Sequence, residues 1–235
     1  MCGITAFSGK EEALPFLLQG LSKLEYRGYD SAGVTLVDKD KLFTIKTKGR
    51  LQNLVDRLDQ DTPVGHVGIG HTRWATHGIP SNLNSHPHTN NDNTISLVHN
   101  GIIENYRELK EELLAKGYHF HSETDSEVVV HLLDSYYQGD LLEALKKVIK
   151  RIEGSYALCI VSTLEPDVVY VTKKDSPIVL GVNSDASFAA SDIPALLDYT
   201  KDVYFIKDYE IAKLCKGKII FYDANGNEIQ KETTH

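Results

Sequence analysis

Apolar residues recur every three or four positions in several segments of the chain, which is the spacing of one buried helix face. This pattern predicts helices over residues 11–24, 50–58, 106–115 and 141–152. A further helix is predicted after Thr124, because Thr124 and Glu127 have the spacing of a capping box. Gly117 follows the third of these segments and predicts the end of its helix.

Shorter apolar runs bounded by turn residues predict β-strands. They lie at residues 3–7, 32–37, 42–47, 67–72, 95–99, 156–162, 168–172, 178–182, 188–190, 203–206, 210–214 and 219–222. A short helix is predicted near residues 193–197, and Asn225 with Gly226 predicts a hairpin turn. Helix pairs beside many antiparallel strands favour sheets packed face to face with helices outside. We therefore expect one α+β domain over residues 1–235.

Residues 75–93 are rich in Asn, His, Ser and Pro and show no periodicity. A loop of this length inside a compact domain is usually functional or mobile. We expect the same of this one.

The net charge of −8 argues against a general nucleic-acid surface. No apolar run approaches the roughly 18–20 residues of a membrane span, and the N-terminus lacks the long apolar region of a signal peptide. The three cysteines, Cys2, Cys159 and Cys215, are odd in number and widely spaced, which is not a disulfide framework. We therefore expect a cytoplasmic protein without nucleic-acid or membrane partners. Cys159 and Cys215 are interpreted as core thiols.

Cys2 directly follows Met1. If Met1 is removed, the thiol and a free α-amine lie on one residue. An α-amine has a pKa of about 7.7–8.0, so part of it is an unprotonated base near neutral pH. A thiol beside such a base forms a compact nucleophile–base pair. The alternative is a frayed chain end without function, and Cys2 alone does not decide between the two.

Residues 71–78 carry groups suited to an amino-acid substrate. Arg73 offers a planar fork that makes two parallel charged hydrogen bonds with a carboxylate. Trp74, Thr76 and His77 add an indole, a hydroxyl and an imidazole. The alternative is a surface ion pair beside a packed tryptophan.

Asn100 and Gly101 follow His99 where a strand is predicted to end. The Asn100 side-chain NH2 and the Gly101 backbone N–H can point together at one oxygen, as an oxyanion hole requires. The alternative is a simple turn that ends the strand. Asp125 offers a carboxylate that suits an ammonium group, and its alternative role is capping of a helix N-terminus.

Residues 26–31 place charged and aromatic side chains just after the first helix, where Gly28 also suits a helix end. Together these segments supply a fork for a carboxylate, a carboxylate for an ammonium, a nucleophile and an oxyanion hole. These are the groups needed to bind an L-α-amino acid that bears a side-chain amide and to attack that amide.

A metal or a nucleotide cofactor is poorly supported. No CxxC or HExxH spacing accompanies the histidines of the first half, which include His71, His77, His86, His88 and His99. Residues 65–70 lack the G-x-G-x-x-G spacing and its strand–helix context. We expect neither a metal nor a cofactor.

Six motifs in the first half appear in a fixed order. They are Met-Cys-Gly-Ile at the start, Tyr-Arg-Gly-Tyr-Asp-Ser at 26–31, His-Thr-Arg-Trp-Ala-Thr-His-Gly at 71–78, Ser-His-Pro-His at 85–88, His-Asn-Gly at 99–101 and Glu-Thr-Asp at 123–125. This set resembles the class II glutamine amidotransferase domain, and more narrowly that of the glutamine–fructose-6-phosphate aminotransferases. Cys-Gly-Ile alone also suits amidophosphoribosyltransferases and asparagine synthetases. The 26–31 and 71–78 motifs favour the aminotransferases.

The resemblance implies an N-terminal-nucleophile hydrolase fold, a four-layer αββα sandwich with two central antiparallel sheets. It implies Cys2 as the nucleophile, with its own α-amine as the base. Asn100 and the Gly101 N–H are implied to form the oxyanion hole. Arg73 is implied to bind the glutamine carboxylate and Asp125 its ammonium.

Three further roles follow from the same resemblance. Thr76 and His77 are implied to line the glutamine pocket. Trp74 is implied to lie on a mobile loop that closes over glutamine and gates ammonia. Arg27 and the neighbouring Gly28 are implied to support the N-terminal loop.

The family releases glutamate and ammonia through a γ-glutamyl thioester. Its ammonia passes to fructose 6-phosphate in two sugar-isomerase domains, normally attached C-terminally, which are absent from this chain. We therefore expect the chain to hydrolyse L-glutamine by itself, and an oligomer is possible in the full-length enzyme. Two alternatives stay open, a glutaminase that serves another ammonia acceptor and a non-catalytic glutamine-binding regulatory domain.

Overall fold

The computed structural model describes residues 2–75 and 77–235. Over these residues it contains five α-helices and two short 3-10 turns. The helices are α1 (Ala13–Leu24), α2 (Leu51–Val55), α3 (Tyr106–Ala115), α4 (Glu127–Tyr136) and α5 (Leu141–Arg151), and the 3-10 turns are Glu25–Arg27 and Ile193–Ala195. No helix among them is long and apolar enough to cross a membrane.

Strands make up two antiparallel sheets in the described part of the chain. The strands are β1 (Gly3–Gly9), β2 (Ser31–Asp38), β3 (Lys41–Lys48), β4 (Val67–Arg73), β5 (His88–Thr89), β6 (Ile95–Ile103), β7 (Gly154–Ser162), β8 (Glu165–Lys174), β9 (Val179–Val182), β10 (Ala186–Ala190), β11 (Val203–Phe205), β12 (Ile211–Cys215), β13 (Lys218–Tyr222) and β14 (Glu228–Ile229). The first sheet has the order β11-β9-β10-β1-β4-β2-β3, and the second has the order β14-β13-β12-β8-β7-β6-β5.

Three apolar clusters separate four layers. Residues of α1 and α2 pack on the outer face of the first sheet. A second cluster lies between the sheets and includes Ile4, Ile69, Val98, Cys159 and Val171. Residues of α3, α4 and α5 cover the outer face of the second sheet. The layers therefore follow the order αββα, which confirms the predicted arrangement of two central antiparallel sheets flanked by helices.

The strand register brings the start of the chain to the end of β4. β1 lies between β4 and β10, and Gly3 is paired with Thr72. A Cβ at Gly3 would lie 2.6 Å from the Thr72 hydroxyl oxygen, so glycine allows the two strands to meet here. Cys2 consequently lies beside the segment that begins with Arg73.

Two predictions about β6 and its neighbouring strand were wrong. β6 does not end at His99 but continues to Ile103, with Asn100 paired to Ala157 and Gly101 to Tyr156. Asn-Gly is typical of turns, but the adjacent β7 supplies backbone partners that keep the strand going past it. The predicted loop 75–93 also contains the two-residue strand β5, which pairs with β6.

The predicted capping box at Thr124 does not form. The N-cap of α4 is Ser126, and its side chain makes no capping hydrogen bond. The Thr124 hydroxyl bonds instead to Ser122 and to a histidine ring. The Glu127 carboxylate does reach back, but it accepts from the backbone N–H groups of His121 and Ser122. Tertiary partners have therefore replaced the local cap.

The predicted hairpin at Asn225 and Gly226 is confirmed between β13 and β14. Gly226 has φ +84°, a left-handed conformation that favours glycine. Cys159 is fully buried between the sheets, as expected, and burial raises the pKa of its thiol. Cys215 is only partly buried.

Candidate active site

A cavity of about 370 Å³ opens where the ends of β1, β4 and β6 meet. This volume lies in the range of small-molecule sites. Its lining includes six residues that the sequence singled out: Cys2, Arg73, Trp74, Asn100, Gly101 and Asp125. Both sheets contribute to it, so the site exists only when they pack together.

The Cys2 thiol lies next to the backbone of Trp74. The Trp74 N–H donates to the Cys2 Sγ over 3.1 Å, and the Trp74 carbonyl oxygen is 3.5 Å from the same sulfur. Burial raises the pKa of the Cys2 thiol, while the Trp74 N–H and the Arg73 charge oppose that rise. The sulfur is thus partly shielded from water but open to the cavity.

Arg73 is almost fully buried and also lines the cavity. One guanidinium nitrogen, Nη2, donates to the carbonyls of His77 and Gly78. The other, Nη1, is buried and has no hydrogen-bond partner among the described residues. Burial lowers the pKa of Arg73, and the carboxylates of Asp30 and Asp125 oppose this. A buried guanidinium with an open donor suits an incoming carboxylate.

The Asn100 side chain extends from β6 of the second sheet to Cys2, which precedes β1 of the first sheet. Its Nδ2 donates to the Cys2 carbonyl oxygen over 2.8 Å. The neighbouring Gly101 has φ +117°, and a Cβ there would lie 2.2 Å from the Ser155 carbonyl oxygen. Glycine is therefore required at this position, which keeps the backbone beside the cavity free of a side chain.

Asp125 is buried at the cavity wall. Its Oδ2 accepts from the Ile103 N–H over 2.7 Å, and its Oδ1 lies 3.8 Å from the His77 Nδ1. This geometry orients the carboxylate, and no arginine or lysine among the described residues forms an ion pair with it. Its predicted role as a helix cap is not what the structure shows, because Ser126 is the N-cap of α4.

Residues 26–31 brace the backbone that contacts Cys2. A Cβ at Gly28 would lie 2.8 Å from the Arg73 carbonyl carbon and 2.9 Å from the Trp74 nitrogen. The Asp30 N–H donates to the Arg73 carbonyl, and the Asp30 carboxylate accepts from the Ala75 N–H. Gly28 thus permits a close approach. It also ends the 3-10 turn Glu25–Arg27 as its C-cap, as predicted, although its φ of −176° is extended and not left-handed.

Arg27 lies behind the cavity and not in its wall. Its guanidinium donates to the Ser191 carbonyl over 3.2 Å and to the Asp192 carboxylate over 3.1 Å. The Trp74 side chain is 50% exposed and contacts the Tyr29 ring edge to face, with centroids 5.7 Å apart. The indole therefore stands at the mouth of the site.

Four buried imidazoles lie in the cavity wall or beneath it: His71, His86, His88 and His99. Burial lowers the pKa of each, that of His71 to about 3. They are neutral at physiological pH and bond to hydroxyl, amide and carbonyl groups. The described residues contain no cluster of His, Cys, Asp and Glu that could hold a metal ion.

The model of the glutamine amidotransferase domain family matches residues 71–198, which is more than half of the chain. The chain belongs to the glutamine amidotransferase domain family. The matched segment contains Arg73, Asn100, Gly101 and Asp125.

Curated relatives share the whole length of this chain. The chain is 55% identical over 235 residues to the glutamine–fructose-6-phosphate aminotransferase (isomerizing) of Clostridium acetobutylicum, covering 100% of this chain and 39% of that protein. It is 47% identical over 232 residues to the enzyme of the same name from Aquifex aeolicus, with 99% and 39% covered. The chain therefore spans about two fifths of the length of these relatives and is homologous to their glutaminase portion.

Solved structures with the same architecture include glutamine phosphoribosylpyrophosphate amidotransferase from Bacillus subtilis, complexed with ADP and GMP. The match has a TM-score of 0.83 and 26% identity, and it covers 98% of this chain and 51% of that one. A glutamine aminotransferase class-II domain protein from Silicibacter pomeroyi matches with a TM-score of 0.60 at 14% identity, over 94% of this chain and 99% of that one. The N-terminal-nucleophile hydrolase fold is thereby confirmed.

Not every predicted site residue is found in the cavity wall. Thr76 lies outside the described residues. His77 is not in the cavity wall, although its ring approaches Asp125 and its carbonyl braces Arg73. Arg27 and Gly28 lie behind the cavity, and the supporting role that the resemblance implies for them stays a prediction.

Several residues of the cavity wall were not predicted as site residues. They are His86, His99, Ile102, Thr124, Ser126, Ser155, Asp175, Ser176 and Pro177. The last four come from the second half of the chain, where no motif marks them. Only the pairing of β7 with β6 brings Ser155 beside Gly101, so their places follow from the fold.

Proposed function

We propose that this chain is a glutaminase that hydrolyses the side-chain amide of L-glutamine, with Cys2 as the nucleophile. One observation carries the proposal. The Cys2 thiol, the Asn100 amide, the Arg73 guanidinium and the Asp125 carboxylate all line one cavity of about 370 Å³. A thiol alone suits many reactions, but these charges around it suit an amino acid.

The α-carboxylate and the α-ammonium of glutamine determine its orientation in the pocket. Arg73 Nη1, with no partner among the described residues, receives the α-carboxylate, and Asp125 receives the α-ammonium. Trp74 lies at the mouth of the same pocket. Two charged contacts hold the α-carbon, so the side-chain amide extends toward the sulfur. This arrangement converts binding energy into alignment of the reacting atoms.

The reaction proceeds through a covalent thioester. The Cys2 thiolate attacks the amide carbon, and the carbonyl oxygen becomes an oxyanion that accepts from the Asn100 side chain and the Gly101 N–H. Each well-placed donor stabilises such a transition state by about 3–4 kcal/mol. The α-amine of Cys2, free once Met1 is removed, takes the thiol proton and passes it to the amide nitrogen, which leaves as ammonia. Water then hydrolyses the thioester to glutamate.

We also propose that residues 1–235 form one glutaminase domain of a longer aminotransferase. The relatives are about two and a half times as long as this chain, which leaves room for synthase domains that would use the ammonia. Their name identifies fructose 6-phosphate as the acceptor, and we propose the same acceptor here. Oligomer formation belongs to that longer enzyme, and the cytoplasm is its proposed location.

Intact mass tests the nucleophile directly. The protein is treated with 6-diazo-5-oxo-L-norleucine, an electrophilic glutamine mimic, with and without excess glutamine. We expect a mass without Met1 and one adduct, mapped to Cys2 and blocked by glutamine. Cys2→Ala serves as the control and takes up no adduct. Retained Met1 with no adduct would instead support a non-catalytic glutamine-binding domain.

A second experiment addresses the acceptor. Glutamine hydrolysis is measured with the full-length protein, with and without fructose 6-phosphate, together with the formation of an amino sugar. Equal stoichiometry of glutamate and amino sugar is the expected result. Glutamate formation without any amino sugar would favour a different ammonia acceptor.

A further inference from the structure

His71 connects the two sheets directly beneath the proposed oxyanion hole. It lies on β4 of the first sheet and is completely buried. Its Nε2 is 2.9 Å from the Asn100 Oδ1 and 3.1 Å from the His99 carbonyl oxygen, both on β6 of the second sheet. A single ring nitrogen thus faces two oxygens.

The His99 carbonyl determines where the His71 proton lies. A carbonyl oxygen only accepts, so the Nε2 that faces it carries the hydrogen. Because burial keeps the ring neutral, Nδ1 carries none. The His71 Nδ1 has no hydrogen-bond partner among the described residues, which agrees with this tautomer.

The same proton orients the Asn100 amide. Since Nε2–H is a donor, the Asn100 atom that faces it is the accepting oxygen. The Asn100 NH2 therefore points the other way, where it donates to the Cys2 carbonyl over 2.8 Å. A flipped amide would set NH2 against Nε2–H and would turn an oxygen toward Cys2 and the cavity, which would repel an oxyanion.

Packing holds the His71 ring in place. The His86 ring stacks on it with centroids 4.1 Å apart and planes 25° from parallel. His86 is itself fixed by a hydrogen bond of 2.9 Å between its Nε2 and the Ser126 hydroxyl. Rotation of the His71 ring would break two hydrogen bonds and this stack.

We propose that His71 is a positioning residue for catalysis, which keeps the Asn100 amide turned so that its NH2 faces the reacting carbonyl. This inference rests on the proposed function, because it concerns the oxyanion that forms on the glutamine amide. His71 itself touches neither the substrate nor the sulfur in this arrangement. It acts only through Asn100.

Two variants at this position separate the hydrogen bond from packing. His71→Leu removes the donor and should lower kcat by about 10- to 100-fold, somewhat less than loss of an oxyanion donor itself. KM for glutamine should stay within about threefold, since the donor acts on the transition state. His71→Gln places an amide N–H where Nε2 was and should recover kcat to within about fivefold of the unchanged protein.

A double variant tests whether His71 acts through Asn100. If it does, His71→Leu should lower kcat no further in a protein that already carries Asn100→Ala. If the kcat losses of the two single variants multiply in the double variant, the proposal is overturned. An unchanged kcat in His71→Leu would also overturn it, as would a folded His71→Gln as slow as His71→Leu.

Controls separate catalysis from folding. His131→Gln is a matched variant, because His131 is equally buried and bonds to Glu127 through its own Nε2, in a helix away from the cavity. It should alter thermal stability but leave kcat unchanged. Alkylation of Cys2 by iodoacetamide, which needs no oxyanion hole, should proceed equally in His71→Leu.

Nitrogen NMR of the unchanged protein gives a test that does not depend on activity. The His71 ring should show the neutral Nε2–H pattern at neutral pH. An Nδ1–H or a doubly protonated ring would overturn the inference even if glutamine is hydrolysed. Absence of both glutaminase activity and the Cys2 adduct would reject the proposed function separately, whatever the tautomer.

Discussion

The backbone N–H of Trp74 donates a hydrogen bond of 3.1 Å to the Cys2 sulfur, although 72 positions separate the two residues. A hydrogen bond to a charged acceptor is stronger than one to a neutral acceptor, so this N–H favours the thiolate. It opposes the rise in the Cys2 pKa caused by burial. The contact depends on the pairing of β1 with β4 and on the absence of a side chain at Gly28.

Gly28→Ala should therefore reduce catalysis. The new Cβ would lie under 3 Å from backbone atoms of Arg73 and Trp74, so that backbone has to move away from Cys2. Misplacement of this kind costs about 10- to 100-fold in activity, and we expect that loss in kcat for glutamine hydrolysis. Steady-state kinetics measures it.

Gly117→Ala is the matched control for this substitution. Gly117 has φ +91° and no atom within 4 Å of an added Cβ, so alanine there should cost about 1–2 kcal/mol of stability without a clash. Its kcat should equal that of the unchanged protein. Equal losses of kcat in both variants would show that Gly28→Ala lowers kcat by destabilising the fold and not by moving the backbone beside Cys2.

The pH dependence of Cys2 alkylation should reflect burial of the thiol. Burial raises the pKa of Cys2 above its ordinary value of 9.0, so the thiolate fraction is small at neutral pH and grows as pH rises. The iodoacetamide rate at Cys2, followed by peptide mapping, should still increase beyond pH 9. A plateau reached below pH 8 would contradict a dominant effect of burial.

Asp125→Asn should weaken glutamine binding. The amide removes the negative charge that faces the cavity, and a hydrogen bond to a charged group is worth about 1.5–3 kcal/mol. We expect KM to rise by about 10- to 150-fold with a smaller change in kcat. Asp185→Asn, which alters an exposed ion pair with Lys10, should stay within threefold.

Glutaramate, which lacks the α-ammonium of glutamine, gives a sharper test of this contact. The unchanged protein should bind glutaramate as weakly as Asp125→Asn binds glutamine. The variant should show no further loss with glutaramate. A variant that still discriminates between the two compounds would remove Asp125 from the ammonium site.

Glu127 should make stability depend on pH in acid. Burial alone raises its pKa, but hydrogen bonds from His131, Ser122 and His121 outweigh this and lower it to about 2. Because the folded-state pKa lies below the unfolded value of about 4.3, the stabilisation is complete above that value and is lost as pH falls toward 2.

Glu127→Gln should remove this acid-side dependence. Chemical unfolding at several pH values should show a less stable variant at pH 7 and a shallower loss of stability between pH 4.5 and 2. Parallel stability curves for the two proteins over that range would show that Glu127 does not titrate as described.

Local patterns predicted most of the fold. The predicted bounds of α3 match the structure, and those of α5 and β4 differ by one residue, because buried faces repeat with the period of each element. Predictions failed where a distant partner replaced a local one. Pairing with β7 extends β6 through Asn100 and Gly101. The Ser122 N–H donates to the Glu127 carboxylate, which therefore does not take part in a capping box.

The sequence by itself determined the family, the α+β class and the identity of the chemical groups, since motifs and periodicities are local properties of the chain. Only the tertiary structure decided which groups meet. Cys2 directly precedes the first sheet and Arg73 ends a strand of it, while Asn100 comes from the second sheet and Asp125 from the segment before α4. Their convergence on one cavity, and the orientation that His71 gives to Asn100, depend on how two sheets pack, which no short stretch of sequence encodes.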